Sequence, residues 1–166
     1  RAPGGWVVTT DLDGRGAELL ASGLRNTYDI AFGPEGELFG YDADMEWDVG
    51  MAWYRPPRVL HLVSGADFGW RNGSGKWPAY WPDTLPSVVD TDLSSPVGIL
   101  YGGELAAFAP RDRGALFLGD WAYGRILAVD LEPRGASWGG TVRPFVSGKP
   151  LPVTDLASGP DGALYV

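Results

Sequence analysis

The stretch "LASGLRNTYDIAFGPEGELF" (20–39) returns near the end of the chain as "FVSGKPLPVTDLASGPDGALY" (145–165). Both copies carry Ser-Gly, then Asp, then Gly-Pro-acid-Gly and an apolar pair, with Asp29 and Asp155 in equivalent places. A looser copy lies between them as "SPVGILYGG", "GALFLGDW" and "GRILAVDLEP". A further match joins "WVVTTDLDGRGAELLASG" (6–23) to "ILAVDLEPRGASWGGTVRPFVSG" (126–148). Repeat periods of roughly 55–70 residues exceed those of most solenoids and suit propeller blades that carry loop insertions.

Each repeat reads as four strands, because short apolar or alternating runs stand between Gly/Pro turns. In the first full unit these are Tyr28–Phe32, Glu37–Tyr41, Arg58–Val63 and a last strand near Ser87–Val89. In the second they are Val97–Tyr101, Ala115–Leu118, Arg125–Leu131 and Val142–Val146. Only "GGELAAFAP" (102–110) has room for a helical turn. The expectation is an all-β, partial β-propeller with four-stranded antiparallel blades. Residues 1–22 would close one blade, 23–93 and 94–148 would form two, and 149–166 would open the next.

Composition agrees with this architecture. The 166 residues include 25 Gly and 14 Pro, with eight Trp, seven Tyr and six Phe, which suits short strands and tight turns. A net charge of -8, with no Lys/Arg cluster, argues against nucleic acid as partner. Zero cysteines exclude disulfides, thiolate metal sites and thiol nucleophiles within these residues. No apolar run approaches the roughly 20 residues of a membrane span, and no signal-peptide pattern opens the chain. The absent initiator Met and an ending inside a strand pattern are what a piece of a longer protein would show.

Up-and-down connectivity sends the loops before the first strand and after the second strand to one end of each blade. Arg25-Asn26 and the loop 42–57 therefore meet at one rim, joined by Asp120–Gly124 and Gly148–Thr154 from later units. "DADMEWD" places Asp42, Asp44, Glu46 and Asp48 at alternate positions, an oxygen-rich set of the kind that suits calcium. The competing reading is a solvated acidic loop. Arg25 offers a planar fork of donors to a carboxylate or quinone oxygen, or pairs structurally with Asp29 or the acidic loop. His61 is the only histidine, but inside "RVLHLV" it reads as structural. The insertion 65–83 concentrates Trp70, Trp77, Tyr80 and Trp81, read first as packing and second as a platform for sugar rings. Its "GSGK" lacks the spacing and following helix of a phosphate loop. No GxSxG elbow appears, so a serine hydrolase is disfavoured.

At "SGLRNTYDIAFGPEGELF" and "SGADFGW" the chain resembles the glucose/sorbosone dehydrogenase family, six-bladed propellers that use pyrroloquinoline quinone (PQQ). The likeness is strongest from Gly23 to Trp70, and nearest to large propeller proteins of planctomycetes and verrucomicrobia described as membrane-bound dehydrogenases. It implies that Arg25 and Asn26 contact the cofactor, with Tyr28 at the next contact position where the family has Gln. It implies that the segment Ala43-Asp44-Met45 holds Ca2+ through backbone carbonyls. The family's catalytic histidine comes from an earlier blade, so no catalytic residue is assigned here. Where later blades of the family supply basic residues, this chain has Ala122, Pro152 and Thr154. The resemblance further implies a sugar or alcohol substrate, a cytochrome c electron acceptor and a periplasmic or extracellular setting. The alternative is a non-catalytic propeller that binds carbohydrate or a protein partner through Trp47, Trp53, Trp121 and Tyr123.

Overall fold

A computed structural model describes residues 4–72 and 75–166, so residues 1–3 and Gly73-Ser74, part of the aromatic insertion, lie outside it. The chain is all-β, 43% strand and 8% helix. Its strands are β1 (Gly5–Thr9), β2 (Glu18–Leu24), β3 (Asn26–Phe32), β4 (Leu38–Ala43), β5 (Arg58–His61), β6 (Ala66–Asp67) and β7 (Val89–Asp90). They continue as β8 (Pro96–Tyr101), β9 (Ala115–Asp120), β10 (Arg125–Arg134), β11 (Ser137–Ser147), β12 (Ala157–Ser158) and β13 (Leu164–Tyr165). Two four-stranded antiparallel sheets, β3-β4-β5-β7 and β8-β9-β10-β11, form the middle of the molecule. A three-stranded sheet β1-β2-β6 precedes them and the pair β12-β13 follows. Among the described residues no helix is long and apolar enough to cross a membrane.

The side chains show how the sheets stack. Leu60 and Leu62 join Ala21, Leu24 and Phe68 in one core, between the first sheet and the second. Phe39, Tyr41 and Val59, on the opposite face, meet Ile99, Leu116, Leu118, Leu127 and Val129 in the next. The other face of that third sheet, Ala115, Phe117, Ile126 and Ala128, packs with Val153 and Leu156. Successive residues thus enter different cores, the period-two consequence of a strand buried on both faces. Each fully buried Leu, Val or Phe contributes about 1.5–3 kcal/mol. A row of sheets with a core in every gap is the radial stacking of a propeller segment.

The expected strands are present with their ends displaced by a few residues; β4 runs on to Ala43 and β11 starts at Ser137. The turn Gly33–Gly36 is a short 3-10 element, and Gly36 takes a positive φ of 80° where a side chain would be strained. In "GGELAAFAP" the helical content is a 3-10 turn at Gly102–Glu104, and a four-residue helix α1 (Pro110–Arg113) starts at its last residue.

The innermost strands share a bulge. Tyr28-Asp29 of β3 stand opposite the single residue Tyr41, and Val97-Gly98 of β8 opposite the single residue Gly119. The amides freed by these bulges are taken up by carboxylates. Asp29 accepts the Ile30 N–H (2.8 Å) through Oδ1 and the Ile99 N–H of the neighbouring sheet (3.0 Å) through Oδ2. Asp155 accepts the Leu156 N–H at 2.8 Å. Gly98 sits between these two acids, and a Cβ there would lie 2.8 Å from Asp155 Oδ1.

Candidate functional site

The rim begins where β3 starts and β4 ends, with Asn26 paired to Ala43. Beneath it lies Asp42, fully buried. Its Oδ1 accepts the Asn26 N–H (2.9 Å), the Thr27 hydroxyl (2.8 Å) and the Arg25 N–H (3.2 Å), while the Arg58 guanidinium stands 3.9 Å from Oδ2. Burial raises the Asp42 pKa, against the lowering pull of Arg58 and the hydrogen bonds. The next sheet repeats the arrangement. Asp120, also fully buried, accepts the Ser95 N–H (2.9 Å) and Arg125 Nε (2.7 Å). In both units the acid is the last or next-to-last residue of the second strand, and its cross-strand partner is the arginine that starts the third.

Asp44 and Asp48 are bound to a cation of the chain itself. Lys76 Nζ lies 2.6 Å from Asp44 Oδ1 and 2.7 Å from Asp48 Oδ2, with its side chain only 3% exposed. The hydrogen bond from Lys76 holds the Asp48 carboxyl below its ordinary value. Glu46 is exposed. Among the described residues no group of three or more acids or histidines is placed to hold a metal. The expected calcium set Asp42, Asp44, Glu46 and Asp48 therefore does not converge. Asp42 turns inward to backbone amides, and a lysine compensates two of the others. One oxygen of the set, Asp44 Oδ2, is buried without a partner among the described residues, which is far short of the six to eight oxygens calcium takes.

Arg25, half-buried, makes no ion pair among the described residues. Its Nη2 reaches Met45 Sδ at 3.3 Å and the guanidinium stands 6.0 Å from the Trp47 ring centre. Asn26 is exposed, and the bulge turns Tyr28 outward, 64% exposed. Arg25, Asn26 and Tyr28 line one recess of 420 Å³ with Trp6 and Val8 of β1. A second recess, of 380 Å³, brings Trp121 and Tyr123 against Lys149 and Leu151, closed by a Gly148 N–H to Gly124 carbonyl bond of 3.0 Å. Arg25 thus meets the loop 42–57 at Met45 and Trp47, and residues 121–124 meet residues 148–152.

The remaining expectations divide cleanly. His61 is buried away from the rim, its Nε2 2.8 Å from Glu37 Oε2 and its Nδ1 3.0 Å from Ser137 Oγ. It stacks on Phe39 and ties two sheets together, a structural part. In the insertion, Trp77 packs under the Arg71 guanidinium (3.9 Å) and beside Trp81, while Tyr80 is exposed. Trp47, Trp53, Trp121 and Tyr123 are each about half exposed or more. Two features escape the sequence reading. Lys76, considered there only as part of a failed phosphate loop, neutralises the acidic loop. The Asp-Arg pairing was signalled by "GYDA" before "RVLH" and "LGDW" before "RILA".

No protein-family model matches the chain, and no curated protein matches it. Solved structures do. An oxidoreductase from Thermus thermophilus, described as a glucose dehydrogenase, aligns over 90% of this chain with a TM-score of 0.69 and 24% identity. A glucose dehydrogenase aligns over 93% at 0.67 and 19%. The PQQ-bound aldose sugar dehydrogenase of Streptomyces coelicolor aligns over 86% at 0.59 and 17%. The chain spans 42%, 45% and 36% of their respective lengths. At these identities the likeness is one of fold. The chain has the architecture of a segment of a β-propeller.

Proposed function

We propose that this chain is part of a propeller that oxidises sugars or related alcohols with PQQ, and that its Arg25-Asn26 rim contributes to the cofactor pocket. The observation that carries this reading is Arg25, which lines one recess with Asn26 and Tyr28 and whose guanidinium, set beside Met45 and Trp47, has no acid partner among the described residues. A cofactor with three carboxylates and two quinone oxygens matches an uncommitted fork of donors. When bound, PQQ would accept the hydride from the substrate carbon. Arg25 would orient and neutralise one edge of it, Asn26 would donate from its amide, and the aromatic face of Tyr28 would shield the recess from water. The side chains of Asp42, Asp44 and Asp48 already serve backbone amides and Lys76, so a calcium ion assisting the cofactor would rest on the backbone carbonyls of Ala43-Asp44-Met45. A cytochrome c acceptor and a periplasmic or extracellular setting belong to the same proposal.

The test uses the full-length protein with PQQ. Wild type should retain quinone absorbance through gel filtration and reduce a dye with aldoses. Arg25→Ala should weaken PQQ retention about 10- to 100-fold, the worth of a charged hydrogen bond of about 1.5–3 kcal/mol. The exposed Trp47, Trp53, Trp121 and Tyr123 favour a second reading, a non-catalytic binder of carbohydrate or protein. A wild type that retains no quinone yet binds oligosaccharide, with loss of binding on Trp121→Ala, would select that reading.

A further inference from the structure

The end of the loop 42–57, the start of β5 and the segment before β7 enclose a recess of 270 Å³. Arg55, Arg58 and Thr84 line it, with Tyr54, Leu85 and Pro86 as apolar wall. Arg58 and Thr84 are only 5% and 6% exposed, yet Arg58 Nε and Thr84 Oγ1 have no hydrogen-bond partner among the described residues. Buried donors of this kind are rare in folded proteins and each costs about 1–3 kcal/mol when unsatisfied. The two guanidiniums also converge. Arg55 Nη1 donates to the Phe68 carbonyl at 2.9 Å, and Arg58 Nη2 approaches the same oxygen at 3.4 Å.

Arg55 Nη2 also donates to the Trp77 carbonyl, but two cations meeting at neutral carbonyls repel each other, and Asp44 and Asp90 offset this only in part. Asp42 stands 3.9 Å from Arg58 and already accepts from Asn26 and Thr27. Asp90, exposed at the recess, is held by the Ser87 hydroxyl at 2.6 Å. The Arg55 pKa is correspondingly lowered, by burial first and by the Arg58 guanidinium second. We propose that the recess formed by Arg55, Arg58 and Thr84 binds a small oxyanion, a carboxylate or a phosphate. The guanidiniums supply charge, Arg58 Nε and Thr84 Oγ1 donate the hydrogen bonds, and the apolar wall accommodates a short carbon chain.

Thermal unfolding and isothermal titration of the purified protein with sodium acetate and with inorganic phosphate, against chloride at matched ionic strength, test this. The expected result is a saturable rise in Tm and a heat of binding with at least one of the two, and which one answers names the source of the oxyanion. Thr84→Val preserves shape and should weaken that binding at least tenfold while leaving Tm in chloride unchanged or slightly higher. Equal, unsaturable responses of wild type and Thr84→Val would mean only non-specific salt stabilisation and would overturn the proposal. So would a lower Tm of Thr84→Val in chloride, which would show that the hydroxyl has a structural partner. Arg58 variants are unsuited to the test, because removing a buried charge beside Asp42 threatens folding itself.

Discussion

Lys76 has its whole side chain buried to place one ammonium between two carboxylates. Lys76→Met keeps the stem and removes the charge, leaving the Asp44 carboxylate buried without its cation. The expected cost is about 3–5 kcal/mol, read as a drop in the denaturant midpoint. Asp48 adds a pH dependence of known sign. Its native pKa is depressed by the lysine hydrogen bond from an ordinary value of 3.8. Its stabilisation is therefore fully present above that value and is lost as pH falls through the depressed one. In Lys76→Met this component of acid destabilisation should vanish, and a titration of stability from pH 6 to pH 2 would show it. Asp42 illustrates why the residue level was only half legible. Alternating acids in a loop look alike as letters, but the chain's path turns Asp42 into the sheet end and leaves Glu46 in water. The compensating cation comes from 28 positions further on, and no local pattern announces it.

Among the elements, strand placement was readable because alternation and Gly/Pro punctuation are local signals. The repeat then gave the antiparallel order of the two middle sheets. The bulges were not readable, since a bulge is defined by its partner strand. Yet they set what the rim presents, by turning Tyr28 outward and freeing the Ile30 and Ile99 amides that Asp29 accepts. Gly98 is the element-scale test. A methyl group there would approach Leu156 N at 2.8 Å and the Asp155 Cα at 2.9 Å, both fixed by the neighbouring sheet. Gly98→Ala should lower stability by about 1–3 kcal/mol through forced separation of the sheets. An unchanged Tm would mean that the inner strands are not in contact as described.

For the molecule as a whole, three cores in series hold four sheets, and the outermost ones have three strands and two. Incomplete sheets leave unpaired N–H and C=O groups along their edges. The 166 residues alone should therefore self-associate, with apparent mass in light scattering rising with concentration, and should show no dehydrogenase activity. A concentration-independent monomer would contradict the first expectation, and measured turnover the second.

The carboxylates of the inner strands carry one further implication. Ile99, which follows a glycine, borrows its acceptor from Asp29 in the preceding sheet, whereas Ile30 and Leu156 each use the acid beside them. An acid in every other sheet is thus enough to satisfy all of these amides. A ring assembled on that alternation meets itself without a mismatch only when its count is even, so parity, as well as curvature, would govern how such a ring can gain or lose a unit.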